Sequence, residues 1–463
     1  MSVPWQNGAR MFSTSTWSSP LRRTVLGVPR DKWGRFVNWA SGVSSWPLSW
    51  HEPATEEELS TLVRGAVKQG KRVRVVGAGH SWSAIAAPDE LAVSIDRCRG
   101  IIAVDTQREW VTVRAGTRLC HLNQALAQIG LSLPIVGSIA HQSVAGAIAT
   151  GTHGSSLVHG NLASLVLGLR LIDGQGETVE LCAGDPRLDG ARVHLGSLGV
   201  VTQVSPRVQP AFHLAQTVES IPVKHVIGAL PAIARSAEYV KVWWMPNAQS
   251  AQVFRYQRTN EKESRFPSRW TQRWFDEAIL QAYVFPSVVY LEERVPSCIP
   301  PLNRFIARMF ERPRQVGRGS LMLSTELPLR HRETEAALPM ERSGEAFDRL
   351  VRLIDRERLR INFLAEVRFV RADSIWLSPA YGADTCQIGA YTTNVPDGDR
   401  YFAGFWREMN RLNARPHWGK EHDHRSEALC LLYPKWPSFQ KLRMEFDPAR
   451  TFSSPWVRQT LGD

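Results

Sequence analysis

Val76-Gly77-Ala78-Gly79-His80-Ser81-Trp82-Ser83 and, further along, His141-Gln142-Ser143-Val144-Ala145-Gly146-Ala147-Ile148-Ala149-Thr150-Gly151-Thr152-His153-Gly154-Ser155-Ser156 are two loops built largely of small and hydroxylated residues. Where side chains are this small, main-chain N–H groups approach a bulky anion closely, and concave runs of such donors hold pyrophosphates. A large phosphorylated cofactor gripped between the two loops is the first expectation.

The flanks of both loops read as alternating helix and strand. Ahead of the first, Thr55 and Glu58 form a capping box, Leu59, Leu62, Val63 and Ala66 share one helical face, and Gly70 stops the helix. Arg72 to Val76 is then a strand that delivers its end into the loop. Ahead of the second, Trp110 to Arg114 alternates as a strand. Thr117 caps a helix carrying Leu119, Leu122, Leu126 and Ile129 in one stripe, and Gly130 ends it. Beyond it, Val166 to Ile172 and Thr178 to Leu181 flank Asp173-Gly174-Gln175-Gly176 as a hairpin. Leu195-Gly196-Ser197-Leu198-Gly199 reads as another close glycine approach feeding a strand. Past about residue 212 the glycine loops stop, and tryptophan, proline and arginine become frequent. Val240 to Met245 and Gln252 to Arg258 form a hairpin there, in a second domain that shapes a substrate pocket.

A chain of 463 residues with 43% apolar and 9% aromatic side chains forms two or three well-packed domains. Cys98, Cys120, Cys182, Cys298, Cys386 and Cys430 lie far apart, so disulfides and thiolate metal sites are not expected, and a reducing cytosol fits. The net charge of +12 is spread along the chain rather than gathered into a patch, which argues against a nucleic-acid partner. No apolar run reaches the ~18 residues of a membrane span; the best, Leu162 to Ile172, contains Arg170. Arg10, Arg22, Arg23 and Arg30 with many serines loosely resemble a transit peptide, but the stretch lacks an amphipathic period and is read as a basic extension. There is no internal repeat.

At the two loops a family resemblance becomes specific. Gly77-Ala78-Gly79-His80-Ser81, the run from Ser143 to Ser156, Trp243-Trp244-Met245-Pro246, Glu366-Val367-Arg368 and Arg415-Pro416-His417-Trp418-Gly419-Lys420 occur in the order found in the sugar-lactone and alditol oxidases. These FAD enzymes of the vanillyl-alcohol-oxidase class include gulonolactone, arabinonolactone and xylitol oxidases. The resemblance implies an α+β fold. A two-subdomain FAD-binding domain would span residues 36–212, and a cap domain with a large antiparallel sheet flanked by helices 213–414. Residues 415–463 would return to the flavin, and 1–35 would be the extension.

The same resemblance implies FAD bound by Gly77, Ala78, Gly79, His80, Ser81, Ser138, Ser143, Gly146, Thr150, Gly151, Thr152, Gly154, Val200, Val201 and His417. His80 falls where many relatives attach the flavin C8-methyl group to an imidazole nitrogen, a link that fixes the ring and makes it more oxidising. On position alone it reads equally as a loop histidine that bonds a phosphate or a carbonyl. His141 and His153 read as packing and hydrogen-bonding residues. Ser143 resembles the residue that lies over the flavin near the substrate, and otherwise is one more loop donor.

Strand alternation in Phe363-Leu364-Ala365-Glu366-Val367-Arg368-Phe369 puts Phe363, Ala365, Val367 and Phe369 on one side and Glu366 and Arg368 on the other, roughly 7 Å apart. That pair is either a solvated charge pair or, as the resemblance implies, part of the pocket. The resemblance points Lys420 at the substrate hydroxyl. His417, His422 and His424 lack an H-E-x-x-H type of partner pattern, so no metal is expected.

The expected reaction is oxidation of a CH–OH group of a sugar-derived lactone or an alditol by hydride transfer to the flavin. Glu366 would hold secondary hydroxyls, while Arg368 and Lys420 stabilise the developing alkoxide, and oxygen or another acceptor would reoxidise the flavin. Arg368 stays protonated and is no base; Lys420 is the base if burial lowers its pKa. Two other classes are a flavin reductase, against which Glu366, Arg368 and Lys420 argue, and a non-catalytic flavin- or sugar-binding protein.

Overall fold

The computed structural model describes residues 29–264, 285–310, 313–324 and 329–463. Arg10, Arg22 and Arg23 of the basic extension lie outside them. From Pro29 onward the chain is tied to the first loop: Val37 N–H donates to the Pro29 carbonyl at 3.0 Å and Trp39 N–H to that of Gly79 at 2.7 Å.

The architecture is α+β. In its first layer β1 (Ser49–His51), α1 (Glu56–Lys68), β2 (Val73–Val76) and β3 (Leu91–Ser94) make a three-stranded parallel sheet, ordered β1-β3-β2, with its helix. The cap of α1 is as read, Thr55 Oγ1 accepting from Glu58 N–H at 3.2 Å. The Glu58 carboxylate reaches one residue further back than a capping box usually does, to Ala54 N–H at 2.8 Å. Leu59, Val63 and Ala66 are buried, as their spacing requires.

The second layer holds β4 (Ile101–Asp105), β5 (Trp110–Arg114), α2 (Leu119–Gln128), α3 (Val144–Ala149), β6 (Val166–Ile172), β7 (Thr178–Cys182) and β8 (Val200–Pro206). Its five strands run antiparallel in the order β7-β6-β8-β5-β4. Here the sequence reading needs a correction. Thr117 does not cap α2: its hydroxyl donates to Arg114 O at 2.6 Å and accepts from Gly100 N–H at 2.9 Å. The first helical N–H groups go instead to carbonyls at the entry of the second glycine-rich loop, Leu119 to Gln142 and Cys120 to Ala140 just before it. The loop itself caps the helix, which ties its position to the second layer.

The third layer comprises β9 (His213–Pro222), α4 (Val223–Ala234), β10 (Tyr239–Trp244), β11 (Ser250–Thr259), β12 (Gln315–Arg318), β13 (Arg332–Pro339), α5 (Ser343–Glu357), β14 (Ala365–Val370), β15 (Thr385–Thr392), α6 (Gly398–Asn410) and β16 (Arg415–Pro416). Its eight strands form one antiparallel sheet, β12-β9-β11-β10-β14-β15-β13-β16. One face packs under α4, α5 and α6, where Leu230, Phe347, Leu350, Ile354 and Phe405 close on Val242, Val367, Phe369 and Ile388. By the two-residue pleat, every alternate side chain of β10, β13, β14 and β15 points the other way.

The chain then returns to the first two layers. From α7 (Ser426–Leu432), α8 (Trp436–Phe446) and α9 (Pro455–Leu461), Leu429, Trp436, Phe439 and Val457 join the same core as Val73, Val113 and Leu169. All six cysteines are free. Among the described residues no helix is long and apolar enough to cross a membrane.

Candidate active site

The polar face of the eight-stranded sheet is set by register. Trp243 pairs with Glu366, Glu366 with Gly389 and Gly389 with Glu335, a row across β10, β14, β15 and β13; Tyr391 pairs with Glu333 beside it. A Cβ on Gly389 would lie 2.9 Å from the Tyr391 ring, so glycine leaves the space that ring occupies. The Tyr391 hydroxyl in turn donates to Glu366 Oε2 at 2.9 Å, and Trp243 Nε1 donates to Glu366 Oε1 at 2.7 Å.

Glu366 and Arg368 share this face, as alternation requires, but they form no solvated pair: both are buried, with Arg368 Nε 3.4 Å from Glu366 Oε2. Phe363 departs from the expected pattern. It precedes the strand and stacks on His331 and Tyr391, with ring centroids 5.0 and 6.0 Å apart, so it does not join Ala365, Val367 and Phe369 in the helix-side core. Arg368 Nη2 donates to both oxygens of Glu335, at 2.8 and 3.0 Å. His153 Nε2 lies 3.1 Å from Glu335 Oε1. Lys420 pairs with Glu333, and its ammonium sits 3.9 Å from the centroid of the Trp82 ring.

Trp82, His153, Trp243, Glu333, Glu366, Arg368, Tyr391 and Lys420 line one cavity of about 730 Å³ together with His80, Ser81, Ser138, Gln142, Thr150, Thr152, His331 and His417. A second cavity of about 750 Å³ adjoins it through His80, Ser81, Gln142 and Thr150. Its walls are the glycine loops: Gly77, Ala78, Gly79, Ser143, Ala145 and Gly146, with Val201 and Gly196 opposite. The cradle is tight where glycine is required, a Cβ on Gly77 falling 2.6 Å from Ser143 Oγ. Arg74 is buried on this wall, and among the described residues its guanidinium donates only to the carbonyls of Gly196 and Leu195, at 3.0 and 2.7 Å. A channel with small walls, loop amides and a buried cation fits a dinucleotide diphosphate.

Glu366, Arg368, Lys420, Ser138, Thr152 and His417 thus meet at the first cavity. Ser143 does not; it lines the channel, where its hydroxyl accepts from Gly146 N–H at 3.3 Å and so caps α3. Gly151, Gly154 and Val200 line neither cavity. Gly151 turns the chain at a φ of 67° after α3, and Gly154 packs against Ile135 and the Val136 carbonyl. Val200 is fully buried in β8, paired with Ile172. Trp82, Trp243, His331, Glu333 and Tyr391 are cavity residues without a role in the sequence reading, and Glu335 is buried behind Arg368. The Glu333-x-Glu335 spacing within Arg332–Pro339 is the signal that would have found both acids. His153, Glu335 and His417 also lie close enough to share a metal ion. Arg368 occupies both oxygens of that carboxylate.

The electrostatics separate the three acids. Burial pushes Glu366 up, but the charges of Arg368 and Lys241 and the bonds from Trp243 and Tyr391 outweigh it and hold the carboxyl below its ordinary range. Glu335 is likewise pulled well below, Arg368 and His153 overcoming burial. Glu333 goes the other way: burial, reinforced by Glu335, raises it against the pull of Lys420. His417 is pushed well below its usual value by burial.

In the channel wall, burial pushes His194 down to about 4, with Arg74 adding to it. Unfolded, that imidazole takes up its proton near pH 6.5. Between those values the unfolded chain holds the extra proton, so this group costs stability as pH falls, by about 1.4 kcal/mol per pH unit. A His194→Gln variant should therefore lose stability less steeply than the parent across that window by about this amount. Urea midpoints for the two proteins across the window check it; parallel curves contradict it.

Comparison with known proteins bears on both cavities. Residues 204–460 match the family model described as D-arabinono-1,4-lactone oxidase, and residues 47–181 match that of an FAD binding domain. The L-gulonolactone oxidase of Scyliorhinus torazame is 33% identical, over 92% of this chain and 98% of that protein. The L-gulono-1,4-lactone dehydrogenase of Mycobacterium tuberculosis is also 33% identical over the same shares. Among solved structures, cholesterol oxidase from B. sterolicum superposes with a TM-score of 0.79 at 16% identity, over 92% of this chain and 96% of that one, a likeness of fold.

Proposed function

We infer the activity from one premise: this chain belongs to the D-arabinono-1,4-lactone oxidase family. It is an FAD-dependent oxidoreductase acting on CH–OH donors, and we assign it a sugar lactone as substrate. The observation that carries the reading is that Glu366, Arg368 and Lys420 line one cavity beside the glycine-walled channel.

Residues 36–212 would hold the cofactor and 213–414 the substrate, with 415–463 completing the site. Held between the glycine loops, a flavin would supply a two-electron acceptor for the substrate hydride, restored by oxygen or another acceptor. The side chains do the rest. Glu366 spends one lone pair on Trp243 and one on Tyr391, which orients the remaining two toward substrate hydroxyls. Arg368 and Lys420 place positive charge where the alkoxide develops, inside a cavity walled by Trp82, Trp243 and Tyr391. Ser143, in the channel, serves the cofactor.

His80 borders both cavities and is buried, which supports its assignment as the covalent attachment point of the flavin. Six unpaired cysteines fit a cytosolic location. One preparation tests substrate and link together. Acid precipitation should leave the yellow colour on the polypeptide, and a His80→Ala variant should release it. A panel of lactones and alditols should yield product fastest with the lactones, and hydrogen peroxide in the same assay identifies oxygen as the acceptor. Colour that stays in the supernatant removes the link, and a panel with no product removes the activity.

A further inference from the structure

We propose that Glu333 receives the proton released by the substrate hydroxyl, an inference that rests on the lactone-oxidising reading above. Two carboxylates line the cavity, Glu333 and Glu366, with Glu335 buried behind Arg368. Glu366 accepts from Trp243 and Tyr391 with its two oxygens, and Glu335 accepts from Arg368 with both of its own. Of the three, Glu333 alone keeps an oxygen with no hydrogen-bond partner among the described residues: Oε2 pairs with Lys420, while Oε1 is buried and unmatched. A buried acceptor with no donor is costly unless a ligand supplies one.

Three other groups of the cavity are poorer proton acceptors. Arg368 keeps its proton. His417 Nδ1 accepts from Gly419 N–H at 3.0 Å, so the neutral ring carries its proton on Nε2 and is not the acceptor. His331 is pushed down to about 4 by burial and is the weaker base. The charges that face Glu333 are Lys420 on the loop after β16, Glu335 on its own strand, Arg368 on β14 and His331 ahead of β13, with the Tyr391 phenol across the sheet. Burial and Glu335 raise the Glu333 carboxyl while its two neighbours are lowered, and carboxylates driven apart in this way divide acid and base roles.

The step balances. The substrate C–H bond breaks with its electron pair leaving as hydride to the flavin, the O–H bond breaks with its proton going to Glu333 Oε1, and the carbonyl forms. The substrate is oxidised by two electrons and the flavin reduced by two. Lys420, paired with Glu333, holds that carboxylate in place.

The test is anaerobic rapid mixing of the flavin-loaded protein with D-arabinono-1,4-lactone as a function of pH, for the parent, Glu333→Gln and Glu333→Asp. A general base contributes about 10²–10⁴ in rate. The Gln variant should slow flavin reduction by about that factor and lose the acid limb of the pH profile. Its lactone affinity, read from the perturbed flavin spectrum, should hold within about tenfold, since the base acts on the transition state. The Asp variant should retain the acid limb. A Gln variant with the parent's rate and pH profile overturns the proposal while leaving the lactone reading intact. A parent protein that lactone binds to but never reduces overturns both.

Discussion

An Arg368→Met variant should unfold about 3–5 kcal/mol more easily than the parent and reduce its flavin at least about 10³-fold more slowly. Both effects have one cause. Arg368 is the cation that both oxygens of Glu335 bind and the neighbour of Glu366, and all three side chains are buried. Removing one member of a buried ion network leaves the others desolvated without a counter-charge, which costs far more than the pair contributes. Without the guanidinium, Glu335 should rise from its depressed range and take up a proton, so the loss is greatest above the ordinary carboxylate range and shrinks as pH falls. Arg368→Lys should rescue only part, because an ammonium cannot meet two carboxylate oxygens in the fork geometry. Urea unfolding across pH, paired with single-turnover reduction, separates the two effects. A loss under about 1 kcal/mol would place Arg368 in the regime of exposed ion pairs.

Lys420→Met should have the opposite balance, with a small stability cost and a large kinetic one. Its partner Glu333 is already raised by burial, so losing the ammonium lets that carboxyl take a proton instead of standing as an isolated charge. A Met thioether there can pack against the Trp82 ring that the ammonium now faces. Flavin reduction should fall about 10²–10³-fold, the loss expected for one group stabilising developing negative charge. An unchanged reduction rate removes Lys420 from the mechanism.

Much of this site was legible in the sequence, and what was not shares a physical reason. The loops around Gly77 and Gly146, the helix after Thr55 and the hairpin at Asp173 are local patterns, so neighbouring residues suffice to read them. Glu366 and Arg368 were readable as a pair because one strand carries both. Glu333 and Glu335 stand at the same spacing on their strand, yet their meeting with Arg368 depends on the pairing of Glu335 with Gly389 and Gly389 with Glu366. No local pattern encodes that register. Trp243 and Tyr391 reach Glu366 by the same long-range pairing. Thr117 misled for a complementary reason: a hydroxyl bonds whichever backbone group is nearest, and here that is Arg114 O.

A lactone bound among Glu366, Arg368 and Lys420 should reduce a flavin held in the glycine-walled channel, and the flavin absorbance of the purified protein after anaerobic mixing with a sugar lactone reads this out. The oxidised band should bleach to completion and return with an added acceptor, while Arg368→Met and Lys420→Met retain the band and bleach slowly. A colourless protein that takes up no flavin, or a band that no lactone bleaches, would contradict it.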